Sequence, residues 1–462
     1  MNSEFVIVGI DGKEYGVDDY EFKDKAFEIL VRKEALKEEL KGGRPLIVNF
    51  LKKFGFKWEP MSDVGHMRFE PYANLIFELC KMYAFECARR IGVPIFPVSG
   101  TNMFNLEHKA VKKHAELFGE RLYEFKIGKN RFVLRFAACH QQFAIVKDWT
   151  ISYKHLPFGV YELADSYRLE QSGELLLCFR VRKLHMPDLH IFCKDIEQAK
   201  EYSLKVHKLI LDEIAKLGER YVVLHNVTRS FYENHKDFIV QLNKTCNAPS
   251  LIKFVPEGVY YWVINAEYHI IDELNRPREI ATFQIDVGNA ERFNITYMDK
   301  DGSKKYPTII HTAIVGSIER FIYTIFDKAA KASRKGEKPS LPLWLTPVQV
   351  RLIPLRSEFL KYCEEMAEKL SANNIRVDID DRDMKLGAKI RDAEKMWIPY
   401  IVSIGSREIE SGKLSVRIRA SGKVQEMTVE QLISEIRDKC RGYPFKDLPG
   451  PRLLSRWPKV VS

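Results

Sequence analysis

Two stretches in the first hundred residues carry apolar side chains at the three- and four-residue spacing of an amphipathic helix. The first is Lys25–Lys41, and the pair Gly42-Gly43 after it predicts that the helix ends there. The second is Phe69–Ile91, which ends at Gly92. An extended segment, Val93–Pro97, follows, because residues before proline avoid helical backbone angles.

Alternation of apolar and polar residues predicts strands through the middle of the chain. We interpret Glu162–Cys193 as two antiparallel strands joined by a loop at Gln171–Glu174. Further elements are predicted as a strand at 130–138, a helix, strand and helix over 195–245, strands at 252–270 and 280–287, and a strand, turn and helix over 306–321.

The segment Asp327–Pro342 is basic and rich in Ser, Gly and Pro, which predicts a linker. Beyond it, strands alternate with helices as far as residue 441, the pattern of an α/β domain with a largely parallel sheet. We therefore expect a short N-terminal appendage at 1–60, a main domain at 61–335 and an α/β domain at 336–462.

Composition narrows the class of protein without identifying it. A chain of 462 residues, 45% hydrophobic and 29% charged, suits a soluble protein of two or three domains. No apolar run approaches the ~20 residues of a membrane helix, and the N-terminus lacks a signal-peptide pattern, so we expect a cytoplasmic protein without membrane contact. A net charge of +10 favours a polyanionic partner, and no two of the eight cysteines have C-x-x-C spacing.

Charged residues of the Glu162–Cys193 stretch are candidates for binding a nucleotide. In our interpretation Arg168 and Glu170 share one strand face, and Arg180 and Arg182 share a face of the next strand. A guanidinium group suits phosphate oxygens, and a carboxylate beside it can accept from an adenine amino group. Solvated salt bridges across a hairpin would explain the same residues, so the residues alone leave both interpretations open.

Several motifs between residues 65 and 440 resemble those of class II aminoacyl-tRNA synthetases, and among them the threonyl family. Asp188–Cys193 resembles the end of motif 2. Tyr306–Phe321 resembles motif 3, in which Gly316 permits close strand–helix packing and Arg320 points back toward the sheet. The resemblance implies a fold of α/β and α+β domains, with an antiparallel-sheet catalytic core and a C-terminal α/β anticodon-binding domain.

The helix Phe69–Ile91 and the segment after it resemble motif 1, which forms the dimer interface of this family. Pro97 is the residue that best matches the interface proline. The resemblance therefore implies a homodimer.

The resemblance also implies an activity, its cofactors and its partners. The chain would activate threonine with ATP and Mg²⁺ to threonyl-adenylate and transfer it to the 3′ end of threonine tRNA, with one Zn²⁺ per chain and no role for DNA. The residues implied for zinc are Cys139, His190 and His311, and those for ATP are Arg168, Glu170, Arg180 and Arg320, of which Arg168 and Arg320 are catalytic. Those implied for threonine are Asp188, Tyr261 and Gln284, and those for the anticodon are Arg382, Lys385, Glu408 and Arg417.

Three positions depart from the family pattern. Leu184 stands where a phenylalanine usually stacks on adenine, and Met186 replaces a glutamine near the amino acid. The segment Tyr261–Ile264 lacks the usual lysine. These departures indicate an archaeal-type form.

A hydrolytic editing domain is not expected in this chain, because only about 60 residues precede the core. Editing of seryl-tRNA would then need a separate protein acting in trans. His108 and His114 are six residues apart on a charged helix, which we interpret as a solvated face.

Two alternatives stay open at this point. One is an inactive synthetase-like paralogue that binds RNA or a protein partner, although Arg168, Arg320 and the zinc ligands are all present. The other is a synthetase for a related amino acid such as proline or serine; the Cys/His/His set argues against proline.

Overall fold

A computed structural model describes residues 4–39, 42–116 and 118–458. Its helices are α1 (Lys25–Glu34), α2 (Leu46–Lys53), α3 (Pro71–Arg89), α4 (Lys109–Ala115), α5 (Cys139–Val146), α6 (Ile196–Lys216), α7 (Arg229–Asn234), α8 (Lys236–Cys246), α9 (Asn289–Phe293), α10 (Ile318–Arg334), α11 (Leu360–Ser371), α12 (Leu386–Lys395), α13 (Ser406–Ser411) and α14 (Val429–Cys440).

Its strands are β1 (Phe5–Val8), β2 (Glu14–Tyr15), β3 (Phe56–Trp58), β4 (Met67–Phe69), β5 (Ile95–Pro97), β6 (Met103–Asn105), β7 (Glu124–Ile127), β8 (Asn130–Leu134), β9 (Ile151–Ser152), β10 (Phe158–Tyr167), β11 (Lys183–Cys193), β12 (Val222–Thr228), β13 (Ser250–Val255), β14 (Trp262–Ile271), β15 (Pro277–Asp286), β16 (Tyr297–Met298), β17 (Lys304–Lys305), β18 (Thr308–Ala313), β19 (Val350–Pro354), β20 (Val377–Ile379), β21 (Tyr400–Ile404), β22 (Leu414–Ile418) and β23 (Val424–Met427). The chain forms two compact units: the first holds the segments up to Asn49, Trp58–Arg68 and Ala84–Lys328, and the second holds Phe50–Lys57, Phe69–Tyr83 and the segment from Ala329 onward.

The first unit is built on a ten-stranded sheet with the order β2-β1-β13-β12-β14-β15-β18-β11-β10-β5. Neighbouring strands run antiparallel except in the pairs β12/β13 and β10/β5. Helix α6 packs across β11, β15 and β18, and buries Val206, Ile210 and Ile214 at helical spacing. The antiparallel core expected from the sequence is therefore confirmed.

The hairpin predicted over Glu162–Cys193 is present, but its second strand begins later than expected. Tyr167 of β10 pairs with Lys183 of β11, so the connecting loop runs from residue 168 to residue 182. Our placing of four charged residues on strand faces was therefore wrong, since the loop contains Arg168, Glu170, Arg180 and Arg182.

A tight turn explains why the apolar run in this loop is not a strand. Cys178 has a left-handed φ of 61°. Leu176 and Arg180 exchange backbone hydrogen bonds of 3.0 and 2.9 Å across the turn. The side chains of Leu177 and Phe179 are buried although their backbone belongs to this turn and not to a strand.

Residues 1–60, expected as an appendage, contribute strands to the large sheet. Strand β1 pairs antiparallel with β13, and Phe27 and Leu30 of α1 pack against this edge of the sheet. The predicted helix Lys25–Lys41 ends at Glu34, and Lys37 has a left-handed φ of 56°. Positions 40 and 41 of that prediction lie outside the described residues, and the domain boundaries at 60 and 335 stay predictions.

Half of the predicted linker is helical. Helix α10 continues to Arg334, and it buries Asp327 and Ala330 completely. Asp327 accepts a hydrogen bond of 2.8 Å from the Glu273 backbone N–H. The segment has the polar composition of a linker, but its alanine and lysine residues favour a helix, so the end of α10 was not predicted. The connecting segment is therefore no longer than 335–342.

The second unit contains a five-stranded sheet with the order β20-β19-β21-β22-β23. The first three strands are parallel, and β22 and β23 continue the sheet antiparallel. Helices α11 and α14 contribute to its main apolar core, and α12 packs with a smaller cluster around Ile353 and Ile401. The expected α/β fold is confirmed. None of the described helices is both long and apolar enough to cross a bilayer.

Candidate active site

Cys139, His190 and His311 come together from three separate parts of the chain. Cys139 begins α5, and His190 and His311 lie opposite each other on β11 and β18. His190 Nε2 lies 3.0 Å from His311 Nδ1, which lies 3.6 Å from Cys139 Sγ. The three ligand atoms fall within 4.8 Å of one another, the only such group of His, Cys, Asp and Glu side chains in the described ranges.

Buried polar side chains fix the orientation of both imidazoles. Gln142 Oε1 accepts from His190 Nδ1 at 2.7 Å, and Asp286 Oδ2 accepts from His311 Nε2 at 2.7 Å. With those nitrogens donating, His190 Nε2 and His311 Nδ1 are left with lone pairs directed at each other. Two lone pairs at 3.0 Å repel, so a cation between them would stabilise the arrangement.

Burial shifts the pKa values of Cys139 and His190, and a metal would need the Cys139 thiol to change its protonation state. Burial raises the pKa of the Cys139 thiol well above its usual value, and the nearby Asp188 and Asp286 add to this effect. Burial lowers the pKa of His190 well below its usual value. A metal takes a thiolate and a neutral imidazole, so its binding would release the thiol proton. One thiolate and two imidazoles suit Zn²⁺, with a fourth position open.

A cavity of about 140 Å³ lies in front of Cys139 and His311. Asp188, Tyr261 and Gln284, the residues predicted for the amino acid, all line it. The Tyr261 hydroxyl donates to Gln284 Oε1 at 3.0 Å, and the Tyr261 ring stacks on His311 with centroids 5.2 Å apart. Burial raises the pKa of Asp188 to about 6, against the opposing influence of the nearby His311.

A second cavity, of about 340 Å³, is lined by all four residues predicted for ATP, which are Arg168, Glu170, Arg180 and Arg320. Arg168 lines both cavities, as do Met186 and Gln284. The two cavities therefore adjoin at Arg168, which borders both of them.

Arg320 is held toward the sheet by β15. Its NH1 group donates to the Glu279 carbonyl at 2.9 Å and to the Glu279 carboxylate at 3.1 Å. Gly316, four residues earlier, has a φ of 76°, and a Cβ there would lie 2.1 Å from the Ile280 carbonyl oxygen. Both predictions for the Tyr306–Phe321 segment, close packing at Gly316 and an inward Arg320, are confirmed.

The other charged groups of this cavity keep hydrogen-bonding capacity free. Glu170 is buried, and its Oε2 has no hydrogen-bond partner although it lies 3.6 Å from Arg180 NH1. Arg180 donates to Glu174 at 2.5 Å. Burial lowers the pKa of Arg168, and the charge of Arg320 adds to this. Four arginines and a carboxylate oxygen without a hydrogen-bond partner in one cavity suit a polyanion that carries a hydrogen-bond donor.

The substituted positions Leu184 and Met186 both line the second cavity, so a flat ligand there meets aliphatic side chains. Phe179 also lines it, but the guanidinium carbons of Arg278 and Arg320 lie 4.7 and 5.0 Å from the centre of its ring. The ring face of Phe179 is thus already occupied by arginines.

His114 was misjudged from the sequence. It is buried and lines the smaller cavity, whereas we expected a solvated face. His114 Nδ1 lies 3.1 Å from His140 Nε2, and burial lowers the pKa of His114 to about 4. The signal was available: Ala110 and Val111, four and three residues earlier, give this helix face an apolar character.

The residues predicted for the anticodon lie in the second unit and differ in availability. Arg382 donates to both oxygens of Asp380 at 2.8 and 2.7 Å. Glu408 is buried and accepts from the Gly405 N–H and the Ser415 hydroxyl. Lys385 is exposed at the start of α12, and Arg417 on β22 donates to the Gly422 carbonyl at 3.2 Å. Lys385 and Arg417 therefore have more donors left for RNA than Arg382 has.

Comparison with known proteins gives a consistent result over nearly the whole chain. Residues 123–329 match the family "tRNA synthetase class II core domain (G, H, P, S and T)", and residues 349–439 match "Anticodon binding domain". A threonine–tRNA ligase of Thermofilum pendens is 53% identical over 459 residues, which is 99% of this chain and 75% of that protein. The corresponding protein of Staphylothermus marinus is also 53% identical over 459 residues, again 99% of this chain and 75% of that protein.

A solved structure is similar in fold. The crystal structure of the RNA binding domain of threonyl-tRNA synthetase from Cryptosporidium parvum Iowa II superposes with a TM-score of 0.74 and 22% sequence identity. The similarity covers 87% of this chain and 99% of that chain.

Proposed function

This chain belongs to the threonine–tRNA ligases of the class II aminoacyl-tRNA synthetases. On that premise we propose which substrate each cavity binds and which residues contact it. The smaller cavity takes threonine and the larger cavity takes ATP. The observation that carries this assignment is the position of Arg168, which lines both cavities between the two predicted sets of residues.

Activation joins the threonine carboxylate to the α-phosphorus of ATP, and pyrophosphate leaves. Negative charge develops on phosphate oxygens, so the reaction needs positioned cations more than a proton-transfer group. Arg168 would hold the carboxylate and the α-phosphate together, Arg180 the other phosphates and Arg320 the γ-phosphate. Glu170, with its free carboxylate oxygen, would accept from the adenine amino group.

The second step transfers the threonyl group to tRNA. A hydroxyl of the terminal tRNA ribose attacks the adenylate carbonyl, and AMP leaves. Since the adenylate carbonyl forms where the two cavities meet, Arg168 would remain beside it in both steps.

Threonine would be selected by the side chains around the smaller cavity. Cys139, His190 and His311 would hold Zn²⁺, which supplies a Lewis-acid position for the substrate amino group and hydroxyl. Asp188 would accept from the substrate amino group, and Tyr261 and Gln284 would contact the amino acid. Valine has no hydroxyl, so binding it would leave a buried polar site unsatisfied.

ATP–pyrophosphate exchange with a panel of amino acids tests this assignment. We expect threonine to support exchange, serine to support it about 10–200-fold less well because it lacks one methyl group, and valine to be rejected more strongly. Exchange with proline or valine in preference to threonine would contradict the assignment.

Serine therefore remains a plausible error in charging, and we propose that a separate protein removes it from threonine tRNA. Loss of one methyl contact is too small an energetic penalty for accurate protein synthesis.

Anticodon recognition would fall to the second unit, with Arg382, Lys385, Glu408 and Arg417 near the loop bases. The match to an anticodon-binding domain supports this, and Lys385 and Arg417, which make fewer hydrogen bonds within the protein than Arg382 and Glu408, are the better candidates within the set. We expect Lys385→Ala and Arg417→Ala to raise the KM for tRNA in aminoacylation while pyrophosphate exchange stays unchanged. A loss of exchange activity in either variant would contradict this role.

A homodimer would form through the segment Phe69–Pro97. Strand β5 forms one edge of the ten-stranded sheet, and Phe96 and Pro97 on it are exposed. An unpaired edge with an exposed aromatic ring suits association with a second copy. A monomer in light scattering at micromolar concentration would argue against this interface.

A further inference from the structure

The loop from residue 168 to residue 182 supplies three of the four proposed ATP contacts, yet it has little regular structure of its own. Its ends are tied by one backbone hydrogen bond of 2.9 Å, from the Arg168 N–H to the Arg182 carbonyl. Side-chain contacts must therefore help to determine where Glu170 lies.

Arg182 provides the main contact to Glu170, because its side chain reaches back across the loop. It is buried, and its Nε and NH2 groups donate to the Glu170 carbonyl oxygen at 2.9 and 2.7 Å. Such a two-donor contact from a planar guanidinium fixes both distance and direction. Arg182 thereby positions the backbone of Glu170, whose side chain lines the larger cavity and whose Oε2 has no hydrogen-bond partner.

Arg182 is in turn held by the segment between β3 and β4. Its NH1 group donates to Asp63 Oδ2 at 2.7 Å, and its backbone N–H donates to the Gly65 carbonyl at 2.8 Å. The Tyr123 hydroxyl donates to the same Asp63 oxygen at 2.5 Å. Asp63 therefore joins two donors from different parts of the chain.

Gly65 allows this segment to approach the loop closely. It has a φ of 92°, and a Cβ there would lie 2.9 Å from Arg182 Cγ and 3.0 Å from Leu175 Cδ2. A side chain at this position would push the segment away from Arg182.

We propose that Asp63 is a positioning residue for ATP, acting through Arg182 to hold Glu170 at the adenine-binding position. This inference rests on the proposed role of Glu170. Asp63 does not line either cavity, so its effect would be confined to the loop.

The test compares variants in ATP–pyrophosphate exchange with the full chain. Asp63→Ala should raise the KM for ATP about three- to tenfold, the effect of losing one typical hydrogen bond, and should leave the KM for threonine unchanged. Tyr123→Phe, which keeps the Asp63–Arg182 contact, should have a smaller effect, and Asp63→Glu should restore part of the affinity for ATP.

Glu124→Ala is a matched control. Glu124 lies next to Tyr123 and makes an exposed ion pair of 2.6 Å with Arg131 on β8, which is outside the loop. Its removal should leave both KM values unchanged.

The remaining outcomes separate this inference from the proposed function. If Glu170→Ala raises the KM for ATP but Asp63→Ala does not, the positioning role is wrong and the assignment of the cavity stands. If neither variant changes the KM for ATP, both are wrong. An equal loss of affinity for ATP and threonine, with a lowered unfolding temperature, would mean that Asp63 only supports the fold.

Discussion

Replacing Gly316 by alanine should destabilise the first unit and weaken ATP binding at the same time. Gly316 has a φ of 76°, and a Cβ there would lie 2.1 Å from the Ile280 carbonyl oxygen and 2.9 Å from its carbon. The left-handed conformation costs a residue with a Cβ about 1–2 kcal/mol, and overpacking adds about 1–3 kcal/mol, so we expect a loss of about 2–5 kcal/mol.

Gly302→Ala separates the two contributions. Gly302 has a similar φ of 80°, but no atom lies within 4 Å of the position that a Cβ would take. This variant should therefore lose only the conformational part, about 1–2 kcal/mol. The difference between the variants measures the steric contact with Ile280.

ATP binding should weaken because the new methyl group would displace strand β15 at Ile280. Ile280 is next to Glu279, whose carbonyl and carboxylate both accept from Arg320. Urea unfolding gives the stability change, and pyrophosphate exchange gives the KM for ATP. Equal destabilisation in the two variants, or an unchanged KM for ATP in Gly316→Ala, would refute the reasoning.

Three further predictions concern the site itself. Purified protein should contain stoichiometric zinc by elemental analysis, and Cys139→Ala should lose both the metal and threonine activation; a metal-free variant with normal activation would rule out this role. Arg168→Ala and Arg320→Ala should each slow adenylate formation by about 10²–10³-fold without unfolding the chain, and a loss below about fivefold would mean that the phosphate contacts are misassigned. Given pre-formed seryl-tRNA for threonine, the 462-residue chain should deacylate it no faster than buffer does, and rapid hydrolysis would overturn the expectation of editing in trans.

The resemblance to family motifs, rather than strand periodicity, predicted that Cys139, His190 and His311 belong to one site, and the structure brings them together. His190 and His311 lie on neighbouring strands and face each other in the ladder, so strand register alone brings them together. Gly316 and Arg320 were predicted from the same resemblance, and a strand, a turn and a helix fix their directions. In each case short-range backbone geometry determines where the side chain points.

The loop between β10 and β11 could not be predicted in this way. Apolar residues there suggested a strand, but Arg182 is bound to Asp63, 119 residues earlier in the chain, and to the Glu170 carbonyl. Periodicity carries no information about such partners. The same limit applies to Asp327. It accepts a hydrogen bond from the Glu273 backbone, which the linker-like composition of its own segment could not predict.

The arginines of this chain differ in how much of each guanidinium group the protein itself uses. Arg182 and Arg376 donate from three nitrogens to protein oxygens, and Arg382 donates through Nε and NH2 to Asp380 and Asp392. Hydrogen bonds within the described part of the chain engage only Nε of Arg168 and NH1 of Arg320, and both residues line the larger cavity. A donor already bonded to a buried acceptor has little left to offer a ligand. This distinction favours Arg168 and Arg320 for ATP, and it leaves Arg382 with only NH1 outside its bonds to Asp380 and Asp392.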